Sequence, residues 1–320
     1  RVIRPSDDPV AAAQAERARN RLERIASDQR GLDAQKATIE YAESTLGEIN
    51  DALQEFRSLL VQAGNGAYNQ VQRDTLVEQL NSLREQISKY ANRTDSNGLP
   101  LFRGLDTKTG KPFPNDQEGV QSGQPNNAEF AIANSLNGVL AFFSGKTGNG
   151  VLEVKLDPGN TGKAHADVGV IKDPAQAAQL TLANPATIVF SPHPVSGEMG
   201  YIVTDPTDTN SPLPWTTYKE GDAISVAGMD VVVNGQPQDG DSFSIVPSTT
   251  ISIFDALDSA LDTVRKGANP DGSTAFGTLS HGITKSLSEL DIALNRVSTV
   301  RGLAGDLLNQ AERMGNTLLV

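Results

Sequence analysis

The sequence contains no cysteine, and this absence removes several kinds of chemistry at once. Without thiols the chain forms no disulfide, has no thiolate nucleophile and offers no cysteine ligand to a metal. It also lacks an apolar run of about 18 residues, the minimum that a membrane-spanning helix needs. A disulfide framework, a cysteine-based metal site and a membrane-spanning segment are therefore excluded as explanations of the chain.

Positive charge is in short supply as well. The 320 residues include 27 Lys and Arg against 39 Asp and Glu, which gives a net charge of −12 and a pI near 4.7. We therefore expect no binding to nucleic acid or to an anionic membrane through bulk electrostatics. One stretch runs against this balance, with four arginines interleaved with Glu16 and Glu23: Arg17, Arg19, Arg21 and Arg24. It predicts a solvated or subunit-facing helix surface, with an anion site as the alternative.

Motifs that carry catalysis or bind cofactors are missing from the sequence. No G-x-S-x-G, P-loop or G-x-G-x-x-G pattern occurs, and His165, His193 and His281 lack the spacing of metal ligands. We expect these histidines at the surface, and Trp215 as a core residue of a β domain, with an exposed ligand-stacking role as the alternative. The chain is therefore predicted to be no enzyme, and to have no catalytic residues, no cofactor and no metal.

The N-terminal part of the chain has the pattern of a long helix. Apolar residues recur every seven positions and a second series joins them later, which is the seam of a helix packed in coiled-coil fashion: Ala18, Ile25, Leu32, Ile39, Leu46, Leu53 and Leu60, then Ala42, Ile49, Phe56 and Ala63. Pro9 suits the first helical turn, and Asp8 can cap it. At about 1.5 Å per residue the helix would be on the order of 80 Å long. After the Gly64–Gly66 turn, a second helix is predicted from Asn69 to Ala91.

The character of the sequence changes in its middle and returns to helix at its end. Short β-branched stretches between turns predict strands at Val151–Leu156, Ala186–Phe190, Tyr201–Thr204, Ala223–Val226, Met229–Val233 and Ser242–Val246. Helical spacing resumes at Ile253 and again at Ile283. We predict an α+β fold, in which an elongated antiparallel helical bundle from both chain ends carries an inserted β-rich domain. The domain boundaries expected are 1–104, 105–250 and 251–320.

Three short motifs connect this organisation to a known family. They are Pro5, Ser6, Asp7, Asp8 and Pro9 before the first helix, Asn97, Gly98, Phe102 and Gly104 after the second, and Gly240, Asp241 and Phe243 at the end of the β region. Together with both helical arms, they resemble the flagellin superfamily of bacterial axial proteins, and more narrowly its hook–filament junction proteins. Pro9 stands where flagellins usually have Ala, and Pro100 replaces the usual aromatic residue.

The resemblance implies a structural role outside the cell. Junction proteins of this kind are exported unfolded through the flagellar type III channel and form a ring at the distal end of the hook. The expected partners are the first hook-associated protein, flagellin, copies of the same chain and an export chaperone, with no nucleic acid and no membrane. An atypical flagellin is the first alternative, and an enzyme carried in the β domain is a distant one. Arg1 and Val320 look like cut ends of a longer protein, and we expect the chain without those termini to be a monomer.

One segment carries a sharper prediction. Leu53–Gly66 resembles the flagellin stretch that packs neighbouring subunits. Arg57 and Gln62 fall off the apolar seam, so we predict that both are available for subunit contact.

Overall fold

The structure is a computed structural model that describes residues 9–103, 135–267 and 275–318. The signature residues Pro5, Ser6, Asp7, Asp8 and Gly104 lie outside these ranges, so the predicted Asp8 cap stays a prediction. The chain divides into two compact units, described separately below. Unit 1 contains Arg1–Gly47, Ala91–Val139 and Thr299–Val320, and unit 2 contains Glu48–Tyr90 and Leu140–Ser298.

Helices dominate both ends of the chain, as predicted. They are α1 (Pro9–Ala63), α2 (Gln70–Ala91), α3 (Gly138–Phe142), α4 (Pro174–Ala177), α5 (Ile253–Arg265) and α6 (Phe276–Leu318). The seam of α1 is buried from Leu32 to Ala63, which confirms the heptad prediction over that span. Ala18 is exposed and Ile25 is only half-buried, so the predicted seam is wrong for the first part of α1. No element among the described residues packs against that part of the helix closely enough to bury it.

Thirteen short strands lie between and beside these helices in the described ranges. They are β1 (Phe102–Arg103), β2 (Leu136–Asn137), β3 (Gly145–Lys146), β4 (Leu152–Leu156), β5 (His165–Ala166), β6 (Val170–Ile171), β7 (Ala186–Pro192), β8 (Met199–Thr204), β9 (Thr216–Thr217), β10 (Ala223–Val226), β11 (Met229–Asn234), β12 (Ser242–Pro247) and β13 (Thr250–Ile251). All six predicted strands are present with ends shifted by at most two residues. The seven two-residue strands were not predicted, because so short a run carries no alternation: β1, β2, β3, β5, β6, β9 and β13.

Two sheets of unit 2 share one hydrophobic core. The larger sheet has the strand order β4-β12-β7-β8-β9 and is antiparallel throughout, while the smaller has β10-β11-β5, with β6 also pairing with β11. Alternate side chains such as Ile188, Phe190 and Phe243 are fully buried between the sheets, as a half-buried strand requires. Thus the β-rich region forms a sandwich.

Unit 1 brings the middle of α1, from Lys36 to Glu43, against the last part of α6. Arg301 donates from Nε and Nη2 to Oε1 of Glu43 at 3.0 and 2.8 Å, and Lys36 Nζ lies 3.2 Å from Glu312 Oε1. A Cβ atom added at Gly302 would meet no atom within 4 Å, so α6 continues through this glycine without a close helix contact there. Among the described residues, no helix combines the length and apolar character needed to cross a bilayer.

Candidate subunit-contact site

Arg57 lies at the edge of the exposed face of α1 in unit 2, and its charge is already engaged inside the chain. Its Nε donates to Oδ1 of Asp291 on α6 at 2.7 Å, and its Nη2 reaches Oδ2 at 3.4 Å. The hydrogen bond to Asp291, together with the charge of that carboxylate, raises the pKa of Arg57 above its ordinary value. Both side chains stay about half exposed, so the ion pair remains within reach of another molecule. Its subunit-contact role stays a prediction.

Gln62 differs from Arg57 in having no side-chain partner in the part of the chain that the structure describes. The residue is exposed, one helical turn beyond Ser58, and Val61 beside it is 51% exposed. Leu53, Phe56 and Leu60, on the opposite side of the helix, are fully buried. Leu53–Gly66 therefore has one face buried in the core of unit 2 and one exposed face that carries Gln62. This geometry agrees with the predicted use of Gln62, which remains untested.

The motif after α2 forms a tight turn in unit 1. Gly98 has φ of +76°, a conformation that glycine adopts without strain. The side chain of Asp95 holds the turn, because its Oδ1 accepts from the backbone amides of Asn97 and Leu99, each at 2.8 Å. The chain then returns into β1, where the side chain of Phe102 is completely buried. Asn97, Gly98 and Phe102 thus have structural roles.

The Gly240-Asp241-x-Phe243 motif is also explained by local structure. Gly240 has φ of +86° and precedes Asp241, which is only 2% exposed. The Asp241 carboxylate accepts from the amides of Thr161 (2.8 Å), Gly162 (3.1 Å) and Gln238 (2.8 Å), so one side chain fastens two loops. Phe243, two residues later, enters the sandwich core. The motif therefore closes the sandwich rather than forming a binding site.

Helix α6 contacts the β sandwich within unit 2 through a row of polar side chains. His281, Lys285, Ser288 and Glu289 are spaced i, i+4, i+7 and i+8, which places them on one face of the helix; we call this row the polar stripe of α6. Ser288 Oγ donates to the carbonyl of Gly148 at 2.9 Å, and the Gly148 amide lies 3.4 Å from Glu289 Oε1. The loop before β4 is thus held to α6 by both polar groups of one glycine.

His281 is buried, which contradicts the surface position expected from the sequence. Its Nδ1 lies 3.2 Å from the carbonyl oxygen of Ala166 and its Nε2 lies 3.0 Å from that of Val154. A neutral imidazole has a single N–H and donates to one of these carbonyls at a time. Burial lowers the pKa of His281, and the two carbonyls act in the opposite direction. The prediction failed because both acceptors are more than 100 residues away along the chain.

Lys285 stands between two buried carboxylates. Its Nζ lies 2.7 Å from Oε1 of Glu153 on β4 and 3.8 Å from Oε1 of Glu289. Burial alone would lower the pKa of Lys285, but its hydrogen bond to Glu153 and the two negative charges outweigh this and raise it. Burial raises the pKa of Glu289, against the opposing effect of Lys285, and its Oε2 has no hydrogen-bond partner among the described residues. The cluster binds α6 to the sandwich.

Other candidate positions show structural contacts. The ring of Trp215 is half-buried at the edge of the larger sheet, where its Nε1 donates to the Ser191 carbonyl at 3.1 Å and its ring packs 4.8 Å from that of His193. It is not among the side chains of the sandwich core, so the core prediction is wrong for this residue. Across the described ranges, no three His, Asp or Glu side chains form a group that could hold a metal ion.

Comparison with known proteins adds sequence similarity at the N-terminus. Residues 1–107 match the family model described as "Bacterial flagellin N-terminal helical region". The flagellar hook-associated protein 3 of Salmonella typhimurium is 36% identical over 129 residues. That alignment covers 39% of this chain and 39% of the relative, so the chain matches well under half the length of this curated relative.

Solved structures extend the similarity to nearly the whole chain. Crystal structures of the flagellar junction protein FlgL and of flagellar hook associated protein-3, both from Legionella pneumophila, match with a TM-score of 0.80 at 26% identity. The alignments cover 94% and 95% of this chain and 99% and 96% of those chains. The chain is similar in sequence and fold to hook-associated protein 3. It has the predicted α+β class of fold, with long terminal helices and an inserted β-rich region.

Sequence reasoning found the helices that hook-associated protein 3 shares with this chain but missed what joins α6 to the sandwich. The polar stripe lies beside the apolar row Ile283, Leu287 and Leu290, and its i, i+4, i+8 spacing was a readable signal of a second helix face in use. The hydrogen-bond acceptors of His281 could not be predicted from the sequence, because Val154 and Ala166 contribute backbone carbonyls, which every residue has.

Proposed function

We propose that this chain is a structural adaptor of the bacterial flagellum, without catalytic activity. It joins the hook, through the first hook-associated protein, to the flagellin filament. The observation that carries the proposal is the match in fold to the Legionella junction protein over almost the full length of both chains. In this proposal the chain is extracellular at the hook–filament junction, assembles with copies of itself in a ring, and is delivered by an export chaperone.

The helices and the β region have different roles in this proposal. Long helices offer extended surfaces for obligate assembly, which typically buries large interfaces. The β region, for which we keep the proposed bounds 105–250, provides an outer surface or spacer. Its most buried charged side chains serve the fold: Asp241 fastens loops, and Glu153 pairs with Lys285. We therefore assign them to stability and not to chemistry.

Deletion of the gene in its source bacterium tests the function directly. The expected result is cells with hooks but no filaments, with flagellin released into the medium and detected by immunoblot. Hooks without filaments and without released flagellin would identify the chain as the filament subunit itself, an atypical flagellin. Normal filaments would refute an essential junction role. Restoring the wild-type gene on a plasmid provides the control.

Substitution of Arg57 distinguishes a contact with a neighbouring subunit from the ion pair with Asp291 inside the same chain. We expect Arg57→Asp to leave the fold intact, because the ion pair is exposed and such pairs contribute about 0–1 kcal/mol, and to weaken filament formation when returned to the deletion strain. The swap Arg57→Asp with Asp291→Arg rebuilds the pair with reversed polarity. If the swap restores filaments, Arg57 acts only through Asp291, whereas continued failure supports contact with a neighbouring subunit.

Gln62 provides the matched test on the open face of the same helix. We expect Gln62→Glu to leave the unfolding midpoint unchanged, because the side chain is exposed, and to reduce filament formation by introducing a charge into the contact. Circular dichroism of the purified variant checks the first expectation. Wild-type filament numbers in the complemented strain would remove Gln62 from the contact.

A further inference from the structure

The first part of α1 presents a strongly charged and exposed surface. Every residue from 13 to 24 is exposed, so this part of the helix is open on all sides. Arg17, Arg21 and Arg24 are spaced i, i+4 and i+7 and therefore lie along one face for about 10 Å. We call this set the arginine stripe.

The three arginines of the stripe place like charges next to one another along one face of the helix. No ion pair or hydrogen bond joins these three guanidinium groups to any side chain in the described ranges, and the ion pairs of α1 begin further along, at Lys36. Like charges at i, i+4 destabilise a helix. A partner that carries negative charge along one helix face would remove this cost and complements the surface.

The second helix carries such a surface. Asp74, Glu78 and Glu85 are all exposed and are spaced i, i+4 and i+11, which aligns them along one face of α2 for about 16 Å. Asp74 accepts a hydrogen bond from Gln70 at 2.7 Å, and no ion pair involves Glu78 or Glu85 among the described residues. We call this set the acidic stripe; it belongs to unit 2, whereas the arginine stripe belongs to unit 1.

We propose that the arginine stripe of one copy docks on the acidic stripe of a second copy. The proposal rests on the proposed function, in which copies of the chain assemble together, and it names the surfaces that meet. The two stripes are opposite in charge, and each lies along one helix face, for about 10 Å in the arginine stripe and about 16 Å in the acidic stripe. Because they are different patches, each copy uses one stripe on each neighbour, and such heterologous contacts build rings when the rotation closes.

The physical character of this contact follows from exposure. Ion pairs between exposed side chains are individually weak and are screened by salt. The contact therefore orients neighbouring copies and fixes which surfaces meet, while apolar interfaces elsewhere supply most of the affinity. Isolated copies in dilute solution stay separate, and the contact appears at high concentration and low ionic strength.

The absence of cysteine makes disulfide trapping a clean test. Copies that carry Asn20→Cys, beside the arginine stripe, are mixed with copies that carry Ser82→Cys, beside the acidic stripe, and are oxidised at low salt. Since each copy has one cysteine, a 20–82 disulfide identified by peptide mass spectrometry can only join two copies. Ser44→Cys, at another exposed position of α1, replaces Asn20→Cys in the matched control mixture.

We expect the 20–82 product to exceed the control product at low salt and to fall to the control level at high salt. Charge reversal of either stripe should abolish the excess, and reversal of both in the same mixture should restore it. The substitutions are Arg17→Glu, Arg21→Glu and Arg24→Glu in the first copy, and Asp74→Arg, Glu78→Arg and Glu85→Arg in the second. Circular dichroism checks that each variant stays folded.

The inference is wrong if the 20–82 product does not exceed the control product at low salt. It is also wrong if the excess persists when the charges of only one stripe are reversed. These outcomes are independent of the gene deletion. Trapping between the stripes together with normal filaments in the deletion strain would refute the proposed function alone, whereas missing filaments without trapping would refute this contact alone.

Discussion

Lys285→Met is the substitution with the largest expected effect on the fold. The change keeps most of the aliphatic volume but removes the ammonium that lies 2.7 Å from Glu153 and 3.8 Å from Glu289. Both carboxylate side chains are almost completely buried, at 4% and 0% exposed, so removal of Lys285 leaves negative charge in the interior without a counterion. Breaking a buried pair from one side costs about 3–5 kcal/mol. Because Lys285 itself is 27% exposed, we expect the lower end, about 3 kcal/mol.

The assay uses the single tryptophan of the chain. Trp215 packs at the edge of the larger sheet, where its Nε1 donates to the Ser191 carbonyl, so its fluorescence during urea or thermal unfolding reports on the sandwich that Lys285 joins to α6. A loss of about 3 kcal/mol should lower the thermal midpoint by roughly 6 °C. The deficit should narrow as the pH is lowered, since protonation of a carboxylate removes the uncompensated charge.

A second variant isolates the cause of the loss. In Lys285→Met with Glu153→Gln, the stranded carboxylate on β4 becomes a neutral amide, and we expect at least half of the lost stability to return. A Lys285→Met protein that unfolds at the wild-type midpoint would refute the counterion reasoning. An equal deficit in the single and double variants would show that packing of the lysine stem, and not its charge, stabilises the sandwich.

Three further outcomes follow from single residues. Because the pKa of Glu289 is raised in the folded protein, its contribution to the free energy of unfolding is complete below the ordinary glutamate pKa of about 4.3. The contribution is lost as the pH rises through the pKa of the folded state. Glu289→Gln should therefore remove this pH dependence from unfolding free energies measured between about pH 4 and about pH 8. Gly302→Ala should stabilise α6 by up to about 1 kcal/mol, because the added methyl meets open space. The control Gly282→Ala would push a methyl against the side chain of Thr263 on α5 and should destabilise the protein in chemical denaturation. The Tyr218 hydroxyl lies 3.1 Å from the Val233 carbonyl oxygen and 2.7 Å from that of Gly235, and its single O–H donates to one of them at a time. Burial raises the pKa of Tyr218 to about 12. Tyr218→Phe should lower stability by about 1 kcal/mol and remove the ionisation near pH 12 from an ultraviolet titration.

The local features of this fold were readable because they depend on spacing within one element. The burial of Leu32 through Ala63 on α1 follows from a seven-residue repeat, and Ala223–Val226 alternates with period two, so both could be predicted without knowledge of a partner. Ala18 has the same spacing as Leu32 and is nevertheless exposed. Periodicity shows which face of a helix can be buried, but a second surface has to be present to bury it.

The candidate site was predictable only in part, for the same reason. The sequence showed that Arg57 falls off the apolar seam, but its partner Asp291 lies 234 residues away and no local pattern connects them. The contacts of His281 and Lys285 depend on strands that follow from folding of the whole sandwich. The Gly240-Asp241 motif was recognised as a signature, and its purpose became clear only when Asp241 was found to hold Thr161 and Gly162.

The polar stripe of α6 has a mechanical consequence. An apolar helix contact tolerates a slip along its axis, because one aliphatic side chain replaces another at little cost. A slip of one turn, about 5.4 Å, would carry Lys285 away from Glu153 and both nitrogens of His281 away from their carbonyl acceptors. The polar stripe of α6 therefore fixes the axial register of α6 on β4. Tension applied along this helix would be transmitted to the β sandwich instead of being lost as sliding.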